Sequence, residues 1–511
     1  MSKLITALAL AMGLGAFSAA HVRAADEANG DAGAKGEAAA KADKKDDKPD
    51  LPPFPAEASV RQTTHVGGRT LNYTASVGAL PVRDDKGKTI AQVVVTAYTL
   101  NGPRDPDRPV TFAFNGGPGA ASVYLNLGAI GPKRVQFGTA GDSPSDPVRL
   151  IDNDGTWLDF TDLVFIDPVG TGFSRSLVGK EETQKAFYAT KPDIEYLSRI
   201  VYDWLVKNGR MASPKYITGE SYGGFRGPRI THYLQTQLGV GVSGVVLLSP
   251  YLDSAAEFDP SLSPLPFVIT LPSMAAANLE RQGRLTPQAM AAVEAYARGD
   301  YASDLMKGRT DPAATARMET RVAELTGLDP AFVKRAGGRI ETQAFLREVF
   351  RDEGKLGSRY DSNVAEWDPF PYAPEQRTGD PILDSIIAPT TSAMVNFVTR
   401  TVGWKVDGRY NALSYAVGKA WNDGHREQVE SVTDLRQAVA LDPKMRVLIA
   451  HGWDDLSCPF FASVLVVDQM PAMGDPTRVS VKEYPGGHMF YAREESRLAL
   501  RRDVVALYGA R

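Results

Sequence analysis

The stretch Lys215-Tyr216-Ile217-Thr218-Gly219-Glu220-Ser221-Tyr222-Gly223-Gly224 constrains the fold more than any other part of the chain. A strand-like run ends in the pattern G-x-S-x-G and passes at once into a helical pattern with Ile230, Tyr233 and Leu234 on one face. A strand that turns into a helix across a single serine needs glycine on either side, because a bulky Cβ would not fit so tight and strained a turn. This is the context of a nucleophile elbow, which occurs where strands run parallel and helices connect them.

The remaining patterns agree. Val110–Phe114, Leu163–Ile166, Tyr216–Thr218, Val245–Leu248 and Val447–Ala450 are short, several of them apolar throughout, as strands covered on both faces should be. Helical patterns lie between them; Leu197, Ile200, Val201, Trp204 and Leu205 make one buried stripe. Alternating strands and helices predict a largely parallel sheet with crossovers, an α/β class. Ahead of them, Leu71–Ala75 and Ile90–Val95 flank a turn at Asp84–Gly87 and predict antiparallel opening strands. From 271 to 390 Ala, Arg, Glu and Met recur with helical periodicity, which predicts a helical cap insertion between two parts of the core, 59–270 and 391–511.

Two segments precede the core. Lys3, the apolar run Leu4–Phe17 and the small-residue end Val22-Arg23-Ala24 predict a signal peptide over 1–24. Residues 25–58, built from Ala, Asp, Lys, Gly and Pro, predict a disordered tether. Export with a single cysteine, Cys458, points to a bacterial periplasm or to secretion. No later segment reads as apolar for long enough to span a bilayer, so no stable membrane insertion is expected.

Composition excludes other classes. The chain has 57 Lys+Arg against 61 Asp+Glu, net -4, with no basic block beside aromatics, which argues against nucleic acid as a partner. The lone cysteine and the lack of C-x-x-C or H-E-x-x-H spacing argue against a disulfide framework or a metal, and no cofactor motif is present. The glycine loop Asn115-Gly116-Gly117-Pro118-Gly119 lacks the lysine of a phosphate cradle. Oligomeric state leaves no mark on the sequence.

A serine nucleophile needs a base, and the base needs a carboxylate to orient it. Four of the six histidines follow Ser221. His232 reads as helix packing, His451 as a core residue beside a strand, and His425 as a solvated loop residue. His488 stands in Tyr484-Pro485-Gly486-Gly487-His488-Met489, a glycine turn between a strand and the last helix, where a loop-borne base belongs. Asp454 and Asp455 follow the strand Val447–Ala450, and spacing does not choose between them. A developing oxyanion would need two backbone N–H groups, one on Tyr222 after the serine and one from the loop 115–119.

Read jointly, these motifs resemble the serine carboxypeptidase family. Asn115–Gly119 matches its N-G-G-P-G, Asp167–Ser174 its D-P-x-G-x-G-F-S, Gly219–Tyr222 its G-E-S-Y and Gly487–Met489 its G-H-M, in the family's order over about 60–511. The resemblance implies the α/β-hydrolase fold and cleavage of C-terminal peptide bonds of peptide substrates. It implies Ser221 as nucleophile, His488 as base, Asp455 as its orienter, and the N–H groups of Gly117 and Tyr222 as the oxyanion hole. Asn115 and Glu220 would bind the substrate carboxylate with one shared proton, which favours mildly acidic conditions. Two departures stand out. The family's second glutamate is replaced by Ala129, and Arg226 follows the elbow where the resemblance leads one to expect no arginine. Arg226 is therefore expected either to pair with Glu220 or to bind the substrate carboxylate. An esterase or acyltransferase with the same triad, and a non-catalytic binding scaffold, are the competing readings.

Overall fold

The computed structural model describes residues 51–103, 105–137, 145, 147–373, 376–422 and 429–509. The signal peptide over 1–24, most of the tether over 25–58 and the His425 loop lie outside the described residues.

Fourteen strands are described: β1 (Ala58–Val66), β2 (Arg69–Arg83), β3 (Thr89–Leu100), β4 (Val110–Phe114), β5 (Lys133–Phe137), β6 (Val148–Asp152), β7 (Asp162–Ile166), β8 (Arg175–Ser176), β9 (Lys215–Glu220), β10 (Gly244–Leu248), β11 (Lys355–Gly357), β12 (Ala365–Trp367), β13 (Arg446–Gly452) and β14 (Val479–Tyr484). The central sheet runs β1-β2-β3-β7-β4-β9-β10-β13-β14, with β8 paired to β3. The opening strands and the β3–β7 pair are antiparallel; from β7 onward every neighbour is parallel.

Both faces of the parallel half are covered, for the reason its strands are apolar throughout. Val246, Leu248, Leu448 and Ala450 pack on one side with Phe490, Leu500 and Val504 of the C-terminal region. Val245, Leu247, Val447 and Ile449 pack on the other with Leu197, Ile200, Val201 and Trp204 of the helix Thr190–Lys207 and with Ile230 and Leu234 of the helix Tyr222–Gln237. Alternate side chains of one strand thus enter two different cores, as a period of two requires.

Helices from Leu265–Arg281 to Val432–Leu441 separate β10 from β13, interrupted by the short β11–β12 hairpin. Many of them share an apolar cluster of their own, built on Phe267, Leu271, Met274, Met318, Val322 and Phe345, which also takes in Trp453 and Leu456 from the loop after β13. One correction concerns the membrane. The continuous helix Pro381–Val402 is long and apolar enough, by length and composition, to cross a bilayer, although the sequence reading found no such segment. Here Ala393, Met394, Phe397 and Val398 pack into the core on the Tyr98 side of the sheet, and 33% of the apolar window is buried.

Candidate active site

Parallel strands deliver their following loops to one edge. Register pairs Leu248 with both Glu220 and Ala450, and Gly452 with Tyr484, so the chain leaves β9, β10, β13 and β14 at the same end of the sheet. Open α/β sheets place their sites outside the carboxyl ends of the strands.

Ser221 occupies the turn from β9 into the helix Tyr222–Gln237 with φ 59° and ψ -125°, a conformation L-residues rarely hold. Its surroundings require glycine. A Cβ on Gly219 would lie 1.9 Å from the Gly223 oxygen, and one on Gly223 would lie 2.1 Å from the Phe114 oxygen. The glycine loop after β4 reaches the same helix start, since a Cβ on Gly116 would lie 2.4 Å from the Tyr222 nitrogen. Gly117 has φ 103°, and Ala120 N–H donates to the Gly116 oxygen, which closes the loop around that helix start. The two N–H groups nominated for the oxyanion thus belong to neighbouring backbone segments.

The turns after β13 and β14 interlock. Trp453 N–H donates to the Tyr484 oxygen at 3.0 Å, Asp454 N–H to the Gly486 oxygen at 2.9 Å, and a Cβ on Gly452 would lie 2.0 Å from the Gly487 oxygen. His488 Nδ1 and Asp455 Oδ2 are 2.8 Å apart, both side chains buried. The other oxygen of Asp455 accepts the N–H groups of Ser457 and Cys458, at 2.7 and 2.9 Å. That fixes the carboxylate and so the imidazole. Burial opposes a charged imidazole, but the Asp455 carboxylate and its hydrogen bond outweigh it and hold His488 well above the usual histidine range. Asp454 points elsewhere, 3.5 Å from Arg493 Nη2. Ser249 Oγ donates to the His488 oxygen at 2.8 Å, which ties the histidine turn to the strand beside the elbow. The other described histidines are occupied: His65 with Asp152 at 2.5 Å, His232 with Asp434 at 2.7 Å, and the buried His451 with Ser463 at 2.8 Å.

Glu220 is buried directly before Ser221. Its Oε2 accepts from Asn115 Nδ2 at 3.1 Å and from the Tyr491 hydroxyl at 2.7 Å. Burial pushes the carboxyl up to about 7, against the opposing charge of His488 and the two donors. Asn115 is held in turn by its own Oδ1, which accepts Leu125 N–H at 2.9 Å.

Arg226 is corrected by the structure. It pairs neither with Glu220 nor with open solvent: it is 1% exposed, Nε donates to Asp193 Oδ2 at 2.6 Å, and Nη1 donates to the Asn115 oxygen at 2.8 Å. A guanidinium enclosed in the core must keep a carboxylate beside it, and Asp193 serves that need. Arg226 therefore braces the glycine loop from beneath. The sequence reading also missed Tyr360, whose ring meets His488 edge-on at 5.1 Å and whose oxygen accepts His488 N–H at 2.5 Å, and Tyr491 itself. Only the spacing of Tyr491, three residues past His488 in the same turn, could have drawn attention to it.

Sheet topology and loop placement are those of the α/β-hydrolase fold. Residues 76–279 match the family model described as serine carboxypeptidase. "Serine carboxypeptidase-like 50" of Arabidopsis thaliana is 31% identical over 160 residues, 31% of this chain and 33% of that protein. "Pheromone-processing carboxypeptidase KEX1" of Yarrowia lipolytica is 27% identical over 190 residues, 37% of this chain and 28% of that protein. The chain thus spans about a third of the length of the curated relatives it matches. Among solved structures, a prohormone-processing carboxypeptidase of Saccharomyces cerevisiae superposes with TM-score 0.54 at 14% identity, over 86% of this chain and 91% of that one, a likeness of fold. The family match includes Asn115, Gly117, Glu220 and Ser221 and ends before Asp455 and His488.

Proposed function

We propose that this chain is a serine-type carboxypeptidase that releases the C-terminal residue of peptides through an acyl-enzyme on Ser221. Ser221 Oγ attacks the last peptide carbonyl while His488 takes its proton, and Asp455 stabilises the imidazolium. The N–H groups of Gly117 and Tyr222 receive the oxyanion. Collapse breaks the C–N bond, and His488 returns the proton to the leaving amine. Water, deprotonated by His488, then hydrolyses the acyl-enzyme, and the proton returns to Ser221.

The observation that carries the peptidase reading is the buried Glu220 carboxyl with Asn115 beside it, adjacent to the serine. A neutral carboxyl there can donate to a substrate's terminal carboxylate, a contact that an ester substrate would not reward. Its rise to about 7 means it holds that proton under mildly acidic conditions. His488 contributes to the same balance: once neutral, it no longer bears the charge that holds Glu220 down.

The helical segment 271–390 is proposed as a cap over the site, and peptides as the substrates. The N-terminal pattern supports export, with the periplasm as destination. The test is mass-spectrometric detection of the amino acid released from an N-blocked dipeptide near pH 5 and pH 7, beside its C-terminal amide, with Ser221→Ala as blank. Release from the free acid, weaker from the amide and absent in the variant, is expected. Cleavage of an ester alone would move the reading to an esterase or acyltransferase.

A further inference from the structure

Two donors converge on one oxygen of Glu220. Asn115 Nδ2 and the Tyr491 hydroxyl both bond Oε2, and an amide N–H can only donate. A neutral carboxyl whose Oε2 already accepts two hydrogen bonds carries its proton on Oε1. Tyr491 is held firmly enough to impose this. It is buried, its backbone oxygen accepts Arg497 Nη1 at 3.0 Å, and Phe490 beside it stacks on Tyr484 at 5.0 Å. Its ring lies against the turn Leu125–Ile130, where a Cβ on Gly128 would come within 3.2 Å of it.

We propose that Tyr491 is a positioning residue for substrate recognition: by donating to Glu220 Oε2 it directs the Glu220 proton from Oε1 toward the free carboxylate of a peptide substrate. This rests on the carboxypeptidase reading and deepens it. The turn that carries His488 then carries both the base and the residue that orients the recognition proton.

The groups that face Glu220 are Asn115 from the loop after β4, Tyr124 ahead of the Leu125–Ile130 turn, Asp455 after β13, and His488 and Tyr491 after β14. Of these, Tyr491 and Asn115 stabilise the ionised carboxyl by hydrogen bonds, and His488 does so by charge. Deleting the phenol hydroxyl therefore keeps Glu220 protonated to higher pH while leaving its proton undirected.

The experiment compares kcat/KM across pH for an N-blocked dipeptide and its methyl ester, in wild type and Tyr491→Phe. The alkaline limb of the free-acid curve is expected to move up by about one pH unit, and KM for the free acid to rise several-fold near pH 5, both relative to the ester. Site-specific 3-fluorotyrosine at position 491, a stronger donor of almost the same size, moves the limb down and serves should the Phe variant not fold. A limb that stays in place, or acid and ester curves that change together, overturns the role of Tyr491 while wild-type release of the amino acid stands. Wild type that releases no amino acid removes both this role and the carboxypeptidase reading.

Discussion

Ser221 sits on a turn whose close neighbours are backbone atoms, whereas the His488 turn adds to such backbone contacts a network of charged side chains. Around the serine, Gly116, Gly219 and Gly223 each lie where a Cβ would fall within about 2.4 Å of a backbone atom. Around the histidine, Gly487 N–H donates to Asp361 at 3.2 Å, Arg493 bonds Asp361 at 2.9 Å and pairs bidentately with Glu280, and Asn363 bonds Glu280 at 2.6 Å. Glu280 and Asp361 come from the helical segment; Arg493 comes from the end of the histidine turn. Backbone sterics do not respond to pH or salt, and ion pairs do. The serine half is thus a rigid fixture, while the histidine half is coupled to the helical segment by groups that solution conditions can adjust.

Substitutions can break this contrast. Asp455→Asn should have the largest effect, about 10⁴ in kcat, because the amide selects the wrong tautomer of His488 while the serine half is untouched; a loss under tenfold would detach Asp455 from the chemistry. Gly223→Ala should cost about 3 kcal/mol or more in denaturant unfolding, since the added carbon meets the Phe114 oxygen in a turn that cannot give. Near-native stability would show that the elbow is softer than its geometry. Arg226→Ala leaves Asp193 buried without a partner and should cost about 3–5 kcal/mol. It should lower activity on free-acid and ester substrates alike; selective loss on the free acid would restore substrate binding by Arg226.

Smaller effects come through titration. The folded-state pKa of Glu220, about 7, lies above its unfolded value, so its contribution to stability is complete below about 4.5 and is lost as pH rises through 7. Glu220→Gln should flatten that decline, worth about 3 kcal/mol, in melting curves taken from acid to neutral pH; an unchanged pH dependence would place the proton elsewhere. Glu280 shifts oppositely: burial raises it, but Arg493 and neighbouring hydrogen bonds outweigh burial and bring it down to about 2. Its stabilisation is present above the unfolded pKa and is lost as pH falls toward 2. Glu280→Gln should cost only about 1 kcal/mol, because solvent screens the pair, and should slow turnover most at low salt. The same salt dependence in wild type and variant would remove this network from control of the histidine turn.

Much of this was legible because it depends on local pattern. The parallel strands announce themselves as apolar runs, since burial on both faces leaves no polar position, and β4, β10 and β13 fall where those runs lie. The elbow was legible through its glycines. Spacing did not separate Asp454 from Asp455, since both end up buried in one loop and differ only in direction, and Asp455 was named only through the family resemblance. Arg226 was misread because its partner lies 33 residues back on another helix, and Tyr491 was missed because it meets Glu220 across 271 residues.

By itself the sequence determined the alternation of strands and helices, the strained serine turn and the set of residues able to act at it, because each follows from period, sterics or side-chain chemistry within a few residues. Only the tertiary structure decided where Arg226 spends its charge, which oxygen of Glu220 is occupied and how Asp454 turns away from His488. Those outcomes depend on directions of side chains from distant segments, which no local pattern encodes.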